Sequence, residues 1–364
     1  YDTVRNNELF YIGRQWEGVE ANGLPKPVFN FLKRVTMFQI ATITSDNLSM
    51  QATAMASTSE YDLASVEQVA DFVNKQFESI FERNRVVLML REYMRNAAVD
   101  GDACMYTYFD PDIETGQDAK GDVVTELVEN TRVHFGNPNS AKVQKQPYII
   151  LSRRMQVPTV RDMAERLGRT QEEIECIVPD KEDFYSPMDD LDDSKCTVLL
   201  YFWRNKETGT IWKYQCTQKV EIEEATDTKL KLYPLTWLNW DFVQDCYHGQ
   251  ASITGLIPNQ TFINKLFAMS MISLMTTAYP KIIYDKTRVK GWDSRVGAAI
   301  GVMGDVDRVA KIMDPASISP QIAQFIELAI DKTQSMLGAS DVAMGDSRPD
   351  NTSAIIALQR AANT

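Results

Sequence analysis

His134 and His248 are the two histidines of the 364-residue chain, and they bound its acid–base chemistry, because imidazole ordinarily titrates near neutral pH. Neither stands at a spacing that pairs a base with a nucleophile. Ser252 lies in Gly249-Gln250-Ala251-Ser252-Ile253-Thr254-Gly255, a G-x-x-S-x-x-G run. The nucleophile elbow is G-x-S-x-G, so a turn leading into a helix accounts better for these glycines. Gly297-Ala298-Ala299-Ile300-Gly301-Val302-Met303-Gly304 lacks both the Rossmann spacing and the Lys-Ser/Thr of a phosphate loop, and reads as a flexible loop or a place of close helix packing.

Two acidic stretches raise the question of a hard cation, which wants several carboxylates close together. Asp110, Asp112 and Glu114 match the first three positions of a calcium loop, but position six is Thr115 and position twelve Gly121, so a hairpin tip is expected. Asp189, Asp190, Asp192 and Asp193 also lack the glycine and the distal glutamate, and read as a solvated loop. Aromatic and basic residues interleave in Tyr201-Phe202-Trp203-Arg204 and Trp212-Lys213-Tyr214, as in a platform for stacking single-stranded nucleic acid. Strand alternation sends every second side chain into a core, and packing explains most of them. These patterns predict no catalytic residue, no metal ligand and no cofactor.

The elements that must position these residues form an α+β chain. Pro25 and Pro27 punctuate the entry to a helix carrying Val28, Phe31, Leu32, Val35 and Phe38, and the β-branched run Ile40 to Thr44 reads as a strand. Ser65-Val66-Glu67-Gln68 has the pattern of a capping box. It opens an apolar stripe of Val66, Val69, Ala70, Val73, Phe77, Ile80 and Phe81, on a helix that would run to about Ala98 as a spine. From Gly101 to Ile150 the period is two, which predicts a hairpin of 103–109 and 123–135. Short helices over 160–167 and 170–177 follow, then a second hairpin of 196–203 and 210–216.

The last third is different, because Leu266 to Met275 is apolar nearly all round. Its ten residues fall short of the 18 to 20 or so that a membrane span needs, so a buried helix is expected in a core or at a subunit interface. Ser319, Pro320 and Gly338 bracket a second helix, and a glycine-rich insert, 280–315, separates the two. Hydrophobic residues make up 44% of the chain and charged ones 24%, which excludes a disordered or fibrous protein. The net charge of −12 argues against a surface that clings to phosphate. Five cysteines without a C-x-x-C pair suggest neither a disulfide framework nor a zinc site, and fit a reducing compartment. The opening at Tyr1 without Met and the stop at Thr364 predict a fragment trimmed at both ends.

Tyr247-His248-Gly249-Gln250-Ala251-Ser252-Ile253-Thr254-Gly255-Leu256-Ile257-Pro258-Asn259-Gln260 with Asn264, then Leu337-Gly338 and Asp350-Asn351-Thr352-Ser353-Ala354-Ile355-Ile356, resembles the portal proteins of tailed bacteriophages and prophages. Tyr11-Ile12-Gly13-Arg14-Gln15-Trp16 and Pro27-Val28-Phe29-Asn30 look like that family's opening, and Phe135-Gly136-Asn137-Pro138-Asn139 is similar to its middle. The resemblance covers most of the chain, and the order and spacing of the motifs together carry it.

That resemblance implies a head-to-tail connector: a homo-oligomeric ring of about twelve copies at one capsid vertex of the virion. Double-stranded DNA would pass through its channel in packaging and ejection. The ring, assembled in the bacterial cytoplasm, would dock the terminase large subunit, the major capsid and scaffolding proteins and a head–tail adaptor, with no membrane and no enzymatic role. The implied architecture is a mixed wing (1–254), a stem helix (255–279), a small α/β clip (280–316), a second stem helix (317–338), a channel loop (339–352) and the start of a helix returning to the wing (353–364), with the crown absent. Ser340, Asp341, Met344, Asp346, Arg348 and Asn351 would face DNA from the channel loop. Asn264, Lys265, Phe267, Met271, Phe325 and Ile326 would form the stem contact between subunits, and Lys290, Trp292 and Arg295 would face the terminase from the clip. An acidic subunit suits a conduit, because each Lys or Arg contact to phosphate adds a counterion-release tether. Two rivals stand beside this reading: a metal-dependent nucleic-acid-processing enzyme using Asp112 and Asp190, and an oligomeric bacterial scaffold with no DNA role.

Overall fold

The computed structural model describes residues 1–20, 23, 25–45, 50–54, 63–114, 120–180, 194–278, 282–285, 287, 310–312 and 321–336. They fall into two compact units. The first comprises Tyr1–Ile12 with Leu32–Ile257, the second Gly13–Phe31 with Pro258–Thr364.

The first unit opens with α1 (Asp2–Ile12), α2 (Phe31–Ile43), α3 (Leu63–Arg83) and α4 (Val86–Asp100). The Ile40 to Thr44 run is no strand, since α2 continues through it. Leu32, Val35 and Ile40 are buried at helical spacing, and Thr42 and Thr44 hand their hydroxyl protons to the carbonyls of Phe38 and Ile40 at 2.9 and 2.8 Å. Burial of one face thus overrides β-branched propensity, while i−4 bonding satisfies the hydroxyls. The expected spine is likewise two helices. Its break falls at Asn84 and Arg85, where Arg85 takes a left-handed conformation at φ 51°. Asn84 holds the break in place: its amide donates to Ile80 O (3.0 Å) and Val123 O (2.8 Å), and its Oδ1 accepts from Thr125 N (2.9 Å). Ser65 sits inside α3 rather than at its cap.

β1 (Asp102–Asp110) and β2 (Asp122–Val128) form the first hairpin, in register from Cys104 opposite Val128 to Asp110 opposite Asp122. The second flank stops at Val128, short of the expected Phe135. A single 3-10 turn over Asn130–Arg132 then carries the chain into another sheet, with Asn130 Nδ2 donating to Asp100 O at 3.1 Å. There follow β3 (Val133–Phe135), β4 (Tyr148–Gln156), α5 (Val157–Arg166), α6 (Gln171–Glu175), β5 (Lys195–Arg204), β6 (Ile211–Thr217), β7 (Glu221–Asp227) and β8 (Leu235–Asn239). The capping box that does form is at α6, where Thr170 and Glu173 cap each other's backbone. The β5–β6 hairpin lies where the sequence pattern puts it.

Two antiparallel sheets result, β2-β1-β8 and β3-β4-β5-β6-β7. Their facing sides make the main core, with Cys104, Tyr106 and Val128 against Ile149, Leu151, Leu200 and Phe202. α5, α6 and the residues just after α6 cover the rest of the same face of the larger sheet through Val160, Ala164, Ile174 and Ile177, packed with Cys196, Val198 and Ile222. α4 packs Tyr93 and Ala97 with Ala103.

The second unit contains α7 (Ile257–Ala278, from Pro258 on), the antiparallel pair β9 (Ile282–Tyr284) and β10 (Ala310–Ile312), and α8 (Gln321–Met336). Ser319, Pro320 and Gly338, expected to bracket α8, lie outside the described residues. Among the described residues no helix is long and apolar enough to cross a membrane.

Candidate functional site

α7 is apolar around most of its circumference, and its polar residues cluster in the first turns. Gln260 and Asn264, one turn apart and both buried, form the centre of a network within the second unit. Gln260 Nε2 donates to Asn264 Oδ1 (2.9 Å) and to Phe29 O (2.8 Å), and Asn264 Nδ2 donates to Gln15 Oε1 (2.6 Å). The Phe29 ring stacks on Phe267 with centroids 4.0 Å apart, and Trp16 Nε1 donates to Pro27 O at 2.8 Å. Segment 13–31 is therefore tied to the root of α7 by amides that, once buried, must be paired. Beyond this root the helix leaves Met269, Met271, Leu274 and Met275 exposed, Leu274 by 59%.

The six residues expected at the subunit contact fall into distinct environments. Asn264 is occupied by Gln15 and Gln260, and Phe267 by Phe29. Lys265 and Met271 are exposed on α7; on α8 Phe325 is exposed and Ile326 buried. The channel-loop residues Ser340, Asp341, Met344, Asp346, Arg348 and Asn351 lie outside the described residues. So do Lys290, Trp292 and Arg295 of the clip, and the acidic loop with Asp190. Asp112 lies 3.5 Å from the Arg166 guanidinium. Among the described residues no three His, Cys, Asp or Glu side chains are grouped to hold a metal ion.

The two histidines, 114 positions apart in sequence, line one cavity of about 350 Å³ in the first unit, together with Asn7, Asp100, Asp102 and Tyr247. Asp102 is 1% exposed, yet its carboxylate is fully occupied. Oδ1 accepts from Gly249 N (2.6 Å) and Asn239 Nδ2 (2.7 Å), and Oδ2 lies 2.7 Å from His248 Nδ1. Two glycines permit this approach. A side chain at Gly249 would meet Asp241 O at 2.7 Å and Gly101 O at 3.0 Å, and Gly101 itself takes φ 99° to end α4. Burial, reinforced by the Glu8 carboxylate, pushes the Asp100 carboxyl up to about 8; burial, then His248, holds His134 below its usual value. No spacing signal in the sequence joins Asp102 to His248. The cluster has the groups of an acid–base site, and its bonds tie β1, β8 and the 247–250 turn together ahead of α7 in the chain.

Motifs from distant parts of the sequence meet twice. Gln15 and Phe29 of the opening reach Gln260 and Asn264, and Tyr247 N donates to Pro138 O at 2.8 Å while its ring lies 4.9 Å from Phe135. The family model described as Phage P22-like portal protein matches residues 152–364, more than half of the chain. No curated protein matches it.

Proposed function

The chain belongs to the Phage P22-like portal protein family, and from that premise we propose that it is the ring-forming subunit whose central channel passes double-stranded DNA into and out of the capsid. A phage portal role and a place in the virion capsid belong to the family. The channel, the number of about twelve copies and the docking of terminase, capsid, scaffolding and adaptor proteins are our reading. In it, the first unit corresponds broadly to the wing, α7 and α8 to the stem, and the residues around β9 and β10 to the clip.

α7 is the observation that carries this proposal. A helix that anchors its first turns with buried amides and then presents Met269, Met271, Leu274 and Met275 outward needs a cover that its own described neighbours do not supply, and copies packed side by side would provide it. The acidic balance of the chain suits a conduit in which DNA slides rather than sticks.

Native mass by light scattering, with negative-stain images of the same peak, tests the reading. A particle of about a dozen copies with an axial hole wide enough for a duplex is expected, together with its loss in Leu274→Glu. A closed particle without an opening would overturn the conduit and favour a scaffold.

A further inference from the structure

The cavity lined by the two histidines belongs to the first unit alone, and what it offers is acceptors. The Asp102 carboxylate already takes the Gly249 N–H and an Asn239 amide hydrogen on Oδ1, so neutral His248 gives its Nδ1 proton to Oδ2 and keeps a lone pair on Nε2. That side chain is 42% exposed. The His134 ring makes no hydrogen bond among the described residues, and burial, then His248, hold it neutral at pH 7.

Asn7, 1% exposed, lines the same cavity. Both its amide hydrogens are spent, on Val99 O and Thr254 Oγ1 at 2.8 Å each. The amide cannot be turned over, because its oxygen would then meet the Val99 carbonyl. Its Oδ1 is left without a partner, as is Oδ1 of Asp100. Buried oxygens are normally paired. Donors on the same wall are scarce. Asn130 Nδ2 is given to Asp100 O at 3.1 Å and the Tyr247 hydroxyl to Val133 O at 3.4 Å, and no Lys or Arg side chain is among the lining residues.

We propose that this cavity binds a small organic cation that donates N–H hydrogen bonds, of the primary-ammonium class. Its volume of about 350 Å³ is in the range of small-molecule sites. An anion would meet carboxyl groups and no cationic side chain. A divalent metal wants several grouped ligands, and among the described residues no three His, Cys, Asp or Glu side chains are grouped to hold one. An ammonium group asks only for oxygen and nitrogen lone pairs. Burial, reinforced by Glu8, holds Asp100 protonated up to about pH 8, with Arg95 and Glu129 the other charges near it. A seated cation therefore sends that proton to solvent, and binding tightens as pH rises. Ring formation is not required for any of this.

Calorimetric titration with n-butylammonium chloride near neutral pH, with tryptophan fluorescence in parallel, tests the site, since the Trp237 ring lies 6.0 Å from His248. Saturation with a Kd of about 1 mM or tighter is expected. Tetramethylammonium has the charge but no N–H, and butyrate has the chain with the opposite charge; each should bind at least about tenfold more weakly. Asp100→Asn removes the charge at nearly constant shape, and His134→Phe removes the ring lone pair. Either should weaken n-butylammonium by about tenfold or more, while Glu207→Gln, an exposed acid that does not line the cavity, should leave it unchanged. Raising the pH from about 6.5 to 7.5 should tighten binding severalfold, and by less in Asp100→Asn. The site is overturned by no saturation below about 50 mM, by tetramethylammonium or butyrate binding as well as n-butylammonium, or by folded Asp100→Asn and His134→Phe variants that bind within about twofold of the wild type. The probes are compared on the wild-type chain, so the test stands even where a variant fails to fold by circular dichroism.

Discussion

Replacing Asp102 tests whether its carboxylate is the joint between β1, β8 and the turn before α7. In the native chain Oδ1 serves two donors and Oδ2 faces His248 Nδ1, all within 2.6 to 2.7 Å, and Asp102 itself is buried. Asp102→Ala removes the acceptor of Gly249 N–H and of one Asn239 amide hydrogen. The other Asn239 hydrogen keeps Tyr247 O at 2.7 Å. Two half-buried donors that lose a charged acceptor cost about 1.5–3 kcal/mol each, so a loss of about 3–5 kcal/mol follows once partial repair by water from the adjoining cavity is allowed. Asp102→Asn is different in kind. Its carbonyl still accepts from both donors, and its NH₂ faces His248 Nδ1, which can accept once the ring proton moves to Nε2; about 1–2 kcal/mol is expected. Urea unfolding followed by tryptophan fluorescence reads the difference, with the Trp237 ring 6.0 Å from His248. An alanine variant that loses less than about 1 kcal/mol, or an asparagine variant equal to it, would refute the reasoning.

Asp100 predicts a pH dependence. Because burial raises its folded-state value to about 8, its contribution to stability is complete below the unfolded carboxylate range and is lost as pH rises toward 8. The unfolding free energy of the wild type, from urea titrations at successive pH values, should fall between pH 6 and 8 by at most about 1.4 kcal/mol per pH unit, and Asp100→Asn should flatten the slope. Arg85→Gly, at the left-handed break between α3 and α4, should raise the midpoint by a few tenths to about 1 kcal/mol in stability; an unchanged or lower midpoint speaks against strain there. Asn264→Ala removes the donor to Gln15 and an acceptor of Gln260, and should cost about 2–3 kcal/mol in calorimetry.

Local pattern was enough for much of the fold. The β5–β6 hairpin, both short helices and the all-round apolar α7 follow from period, turn chemistry and length. Where reading by residue type went astray, a partner distant in sequence had decided the outcome. Ile40 to Thr44 is helical because one face of α2 is buried, and the spine breaks at Asn84 because β2 supplies backbone groups for its amide. The aromatic run 201–204 divides, as alternation requires, but sequence alone could not tell that the half pointing away from the core would meet Trp212 and Tyr214 across the strands.

The order of the motifs, the composition and the periodicities determined the family resemblance and the α+β class, because each is a property of neighbours along the chain. Tertiary structure alone decided that Gln15 and Phe29 close over Gln260 and Asn264, and that His248 meets Asp102. The physical reason is the range of the forces. Propensity and periodicity act over a few residues, whereas the demand that every buried amide and carboxylate find a partner is met by whichever groups the fold brings within 3 Å or so, however far apart they lie in sequence.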